Sequence, residues 1–151
     1  MPGKRQVHEK VVRAPLSKVW KAWTTPEGIR GFLAPEATIQ MMRGGSYEII
    51  FDPDAPEGSR GTEGCRVLSY LPRQMLSFEW RAPAGFSKLR ERKMRIVLKV
   101  EPAKGGGVNV RLIHSGWGSG EAWERLYQHY MDTWPSVLDR LEASLLKAAK
   151  P

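Results

Sequence analysis

Residues 116–147 read GWGSGEAWERLYQHYMDTWPSVLDRLEASLLK, and the spacing of the aromatic and aliphatic residues in this stretch decides the architecture. At about 100° per residue, Trp123, Tyr127, Tyr130, Trp134, Val137, Leu138, Leu141 and Leu145 share one stripe, while Glu124, Gln128, Asp132 and Arg140 point elsewhere. The spacing predicts a helix from Gly120 to about Lys147. At about 1.5 Å per residue it would run roughly 40 Å, enough to cross a small domain, so its apolar stripe must lie on something equally extended. Ser119 is placed to cap the first turn, and Glu121 complements the positive end of the helix dipole. Pro135 removes one backbone donor and crowds the Met131 carbonyl, which predicts a bend near the middle.

Working back from this helix, residues 37–115 read as strands punctuated by turns: Thr38–Met42, Ser46–Asp52, Gly61–Leu71, Gln74–Arg81, Arg90–Val100 and Val108–Ser115. Gly44-Gly45, Pro72-Arg73 and Lys104-Gly105-Gly106-Gly107 are short breakers that suit hairpins, and Asp52 to Gly58 forms a longer loop. An antiparallel meander follows. Alternation sets its apolar side: Met94, Ile96, Leu98 and Val100 share a face, as do Val108, Val110, Leu112 and His114, while Leu76, Phe78 and Trp80 share a phase on an earlier strand. Ahead of the meander, Gln6–Arg13 reads as a first strand. A short helix after Ala14-Pro15 then carries Val19, Trp20 and Trp23, and a second begins at Thr25-Pro26-Glu27 with Thr25 as cap. The fold class is therefore α+β: a curved antiparallel sheet of about seven strands wrapped on a long C-terminal helix, with two short helices after strand one.

The chain has 151 residues, 41% hydrophobic and 26% charged, which suits one domain spanning 1–151. No run of about 18 apolar residues occurs, and no leader-like segment opens the chain, so no membrane insertion is expected and the cytoplasm is the expected location. A single cysteine, Cys65, excludes an internal disulfide and a cysteine cluster, and its strand-like setting predicts a buried thiol. The net charge of +8 raises the question of nucleic acid. The densest basic cluster, Lys88 to Arg95, is interrupted by Glu91 and runs into strand alternation, so a solvated sheet face accounts for it and nucleic acid is not the expected partner.

This order of elements resembles the helix-grip fold of the SRPBCC/START-like superfamily, over nearly the whole chain. The blocks Ala14-Pro15-Leu16-Ser17-Lys18-Val19-Trp20-Lys21-Ala22-Trp23-Thr24, Gly44-Gly45-Ser46-Tyr47, and Gly116-Trp117-Gly118 followed by Trp134-Pro135-x-x-Leu138 resemble its heat-shock protein 90 ATPase activator homologue-like branch. The resemblance implies a pocket for a hydrophobic small molecule between sheet and helix. Residues expected to touch an apolar or aromatic ligand there are Phe78, Trp80, Met94, Leu112, His114, Trp123, Tyr127 and Met131. The competing expectation is an interior packed solid, since protein cores reach crystal-like density.

A noncatalytic or weakly catalytic binding protein is the preferred reading. A polyketide cyclase or dehydratase is the alternative, with His114 as acid or base and Arg92 as anion anchor. A chaperone-related module with a protein partner, acting through the basic face, is a third. No metal-ligand spacing, nucleophile–histidine–acid arrangement or phosphate-binding glycine motif is present, so neither metal nor cofactor is expected. Exposed aromatic residues and edge strands permit a monomer or a homodimer.

Overall fold

The structure is a computed structural model, and it describes residues 4–149. Strand β1 (Arg5–Val12) is followed by helices α1 (Leu16–Thr24) and α2 (Pro26–Phe32). Strands β2 (Glu36–Ile39), β3 (Tyr47–Ile50), β4 (Val67–Leu71) and β5 (Met75–Trp80) come next, then a 3-10 segment, Ala84–Glu91. Strands β6 (Met94–Pro102) and β7 (Val108–Ser115) lead into α3 (Glu121–Ala149). The fold is α+β, of the helix-grip kind.

All strand pairs are antiparallel, in one sheet of order β1-β7-β6-β5-β4 and a second of β2-β3. Two isolated bridges, Ser46 to Arg66 and Ile50 to Gly61, tie β3 to the chain that precedes β4. Where an unbroken strand from Gly61 to Leu71 is expected, the ladder is confined to Val67–Leu71. Side-chain bonds take its place: Thr62 Oγ1 accepts from the Ile49 N–H at 2.8 Å. The Glu63 carboxylate accepts from the N–H groups of Gly58, Gly61 and Arg60 at 2.7, 2.8 and 3.1 Å. These contacts fold residues 58–63 into a compact turn that cannot extend the sheet.

The expected strand start at Arg90 is also corrected. Arg90 lies in the 3-10 segment, buried, and donates to the Ala82 carbonyl at 2.6 Å and the Gly58 carbonyl. The two short helices match their signals: the Gly28 N–H donates to Thr25 Oγ1 at 3.0 Å, and Val19, Ala22, Trp23, Ile29 and Phe32 enter the core. In α3 the first helical bond runs from the Glu124 N–H to the Gly120 carbonyl. Gly120, at φ 110°, is thus the flanking residue instead of Ser119, a conformation that suits glycine. Pro135 lies inside α3 with its ring exposed.

The core lies where the sheet's apolar face meets α3. Phe78, Met94, Ile96 and Leu112 are sealed from solvent, as are Leu126, Trp134 and Leu141 from the helix side.

Candidate functional site

The sheet centre is packed around a buried histidine. His114 is fully buried, and three aromatic rings pack on it: Trp117, Tyr130 and Trp134, at centroid separations of 4.3, 4.9 and 5.9 Å. Its Nδ1 accepts from Trp134 Nε1 at 3.0 Å, so the ring proton sits on Nε2, which faces Met94 Sδ at 3.3 Å. Desolvation, with a smaller contribution from His8, depresses its pKa to about 3. A neutral imidazole serving as the acceptor for an indole is a core histidine. It is not held where it would exchange protons with a ligand.

The cavity lies along the middle of the same helix. About 520 Å³ opens between the β3–β4 loop, the residues that leave β5, and one face of α3. Its apolar wall is Phe51, Trp80, Tyr130, Trp134 and Val137. Two hydrogen bonds fix that wall from behind: Trp80 Nε1 donates to the Tyr130 hydroxyl at 2.9 Å, and Trp134 Nε1 donates to His114. The rings then brace one another, with Tyr130 and Trp134 stacked at 5.3 Å and 18°, Trp80 and Trp134 at 5.4 Å, and Phe51 edge-on to Trp80 at 6.1 Å. Such pairs contribute about 0.5–1.5 kcal/mol each beyond area burial, so the wall is preformed. Burial pushes the Tyr130 phenol well above its ordinary value and keeps it protonated.

The rim is polar. Arg60, Arg81, Arg140, His129, Thr133, Thr62, Ser59 and Asp52 line it. Glu63 holds the loop side closed from outside: burial alone would raise its pKa, but the N–H groups of Arg60, Gly61 and Gly58 outweigh that and hold it below the usual carboxylate value. Arg90 stands behind the turn, 3.5 Å from Glu63 Oε1.

Of the eight residues expected to touch a ligand, Trp80 lines this cleft. Phe78, Met94, Leu112 and His114 lie in the packed interior. Trp123 and Tyr127 are half-buried near the start of α3, Trp123 beside the Arg92 guanidinium at 5.8 Å and Tyr127 beneath Lys4 Nζ at 4.1 Å. Met131 is 40% exposed, because at about 100° per residue it is displaced from Tyr130 and Trp134 toward solvent. Arg92 is exposed and donates from Nε to the Gly116 carbonyl at 3.1 Å, away from the cleft and from His114.

Sequence reasoning missed the loop contribution, because Phe51 to Thr62 has no period to reveal which side chains turn inward. His129 lies about 120° off the apolar stripe at about 100° per residue, which puts it on the rim.

Cys65 is buried, and desolvation pushes its thiol up to about 12, so it is inert as a nucleophile. Among the described residues, no group of three His, Cys, Asp or Glu side chains could hold a metal ion, and no helix is long and apolar enough to cross a membrane.

A family model described as activator of Hsp90 ATPase homolog 1-like protein matches residues 13–145. No curated protein sequence matches. Among solved structures, protein MLL2253 from Mesorhizobium loti is 23% identical with a TM-score of 0.74, over 98% of this chain and 100% of that one. The Aha1 dimer from Colwellia psychrerythraea is 18% identical with a TM-score of 0.71, over 94% of this chain and 96% of that one. DynU16, from the dynemicin biosynthetic locus, is 18% identical with a TM-score of 0.70, over 99% of this chain and 49% of that one. These likenesses concern the fold.

Proposed function

The chain belongs to the activator of Hsp90 ATPase homolog 1-like family, and from that premise we propose that it is a small-molecule-binding protein whose site is the aromatic cleft between the β3–β4 loop and α3. The observation that carries this reading is a cavity of about 520 Å³ that backs onto Trp80, Tyr130 and Trp134, buried rings locked by hydrogen bonds, and presents the exposed ring of Phe51. That volume falls within the roughly 300–1,000 Å³ usual for small-ligand sites, and the mixture of apolar wall and polar rim matches them too. A flat aromatic or compact apolar molecule gains contact with the exposed Phe51 ring, and the site loses little order in receiving it, because the rings behind are already fixed.

The cleft uses the same two elements as the expected interior pocket, the sheet and the long helix, but where the sheet gives way to the β3–β4 loop. Native mass spectrometry of the freshly purified protein, compared with its denatured mass, tests the reading. We expect a copurified or added aromatic ligand to leave on denaturation, and to be lost from Thr133→Trp, whose larger side chain would fill the cleft from the helix side. A ligand retained equally by Thr133→Trp would place binding elsewhere.

A further inference from the structure

An apolar wall does not account for the charge of this cleft. Three guanidinium groups, Arg60, Arg81 and Arg140, line it against one carboxylate, Asp52. Asp52 is exposed, and its Oδ1 already accepts from the Asp54 N–H at 3.1 Å. Arg81 directly follows the wall residue Trp80. Its Nε is sealed from solvent and has no hydrogen-bond partner among the described residues. A buried donor without a partner is costly, and a native site that tolerates one is poised for an acceptor that arrives from outside. Arg60 spends its Nε on the Ala55 carbonyl at 2.7 Å, which anchors it to the loop. Arg140 forms no hydrogen bond or ion pair among the described residues.

We propose that the cleft selects an aromatic anion, a carboxylate or comparable compact acid on a flat ring, with the acid received by Arg81, supported by Arg60 and Arg140, and the ring lodged against the exposed Phe51. This rests on the cleft being a ligand site. Guanidinium is the cation suited to the task, because its planar donors match a carboxylate and it remains charged where water is scarce. The anchor expected at Arg92 has its counterpart here, just past the end of β5.

Isothermal titration of 2-naphthoate and its neutral analogue 2-naphthamide into the wild type, Arg81→Met and Arg140→Gln tests the proposal. In the wild type the naphthoate should bind at least about tenfold more tightly than the amide, the effect of a charge-assisted bond. Arg81→Met should bring that ratio close to one. Arg140→Gln, on the exposed side of the helix, should lower it by a smaller factor. A melt of unliganded Arg81→Met with a Tm at or above wild type would show that the fold persists once the orphaned donor is gone. Equal wild-type affinities for the two probes, or an unchanged ratio in both variants, would overturn the anion assignment while leaving the cleft as a site. Failure of both probes to bind would overturn the site and the anion assignment together.

Discussion

His114 shows how burial decides chemistry. An imidazole with an ordinary pKa of 6.5 is a ready acid or base, but this one is sealed, accepts from Trp134 and is depressed to about 3. The sign of its linkage follows. Below pH 6.5 the unfolded chain binds a proton at this position that the native state does not, so stability falls as the solution is acidified and keeps falling toward the folded pKa. The slope from one such group approaches about 1.4 kcal/mol per pH unit. His8 is also lowered by desolvation and adds in the same direction. Glu63 and Glu142, lowered from 4.5, lose their contribution only at more acid pH, so the window from about 4.5 to 6.5 isolates the histidines. Urea denaturation at pH 7, 5.5 and 4.5 should show this loss, and His114→Gln should flatten most of it; the same slope in that variant would assign the effect to other groups. Phase along β7 made His114 legible as inward-facing. Its partner was not legible, because Trp134 lies 20 residues away on another element and no local pattern pairs them.

The β3–β4 connection is where the reading of elements and the structure part. Alternation from Gly61 to Leu71 reads as a strand, yet Thr62 and Glu63 satisfy backbone donors with their side chains and end the ladder early. Periodicity counts apolar phase and is blind to such bonds. Two glycines on this connection separate backbone sterics from backbone strain. A Cβ at Gly61 would fall 1.9 Å from the Ile49 carbonyl oxygen, so Gly61→Ala must break the bridge to β3. At Gly58, φ is +88° and the space is open. Gly58→Ala should cost about 1 kcal/mol and Gly61→Ala about 2 kcal/mol or more, read as shifts in chemical denaturation midpoint. Glu63→Gln should cost about 1–2 kcal/mol and speed proteolysis within residues 52–60, since a neutral amide supports the three N–H donors and Arg90 less well. Undiminished resistance to cleavage would mean that the turn holds without the carboxylate. In the Lys88–Arg95 run, Lys88, Arg92, Lys93 and Arg95 are solvated as expected, and Arg90 alone turns inward to two carbonyls, which charge patterning cannot distinguish from a solvated strand.

Across the whole molecule, the long helix, the two short helices and most strands could be read from periodicity and caps, because those elements bury continuous faces against one another. The site could not, since it forms where the sheet stops covering the helix and a loop takes over. The middle of α3 buries Tyr130 and Trp134 against the core, and on the same turns His129, Thr133 and Arg140 border the cleft, where the sheet gives way to the β3–β4 loop. Trp80 lines the cleft because it is the last residue of its strand, where core and cleft meet. Titration of isotope-labelled protein with 2-naphthoate, followed by amide and indole chemical shifts, places binding in one of these two regions. Binding in the cleft predicts shifts concentrated at Phe51, Arg60, Arg81, Tyr130, Thr133 and the Trp80 and Trp134 indoles, with Met94 and Leu112 little moved. Shifts centred on Met94 and Leu112, or spread without focus over the surface, would contradict it.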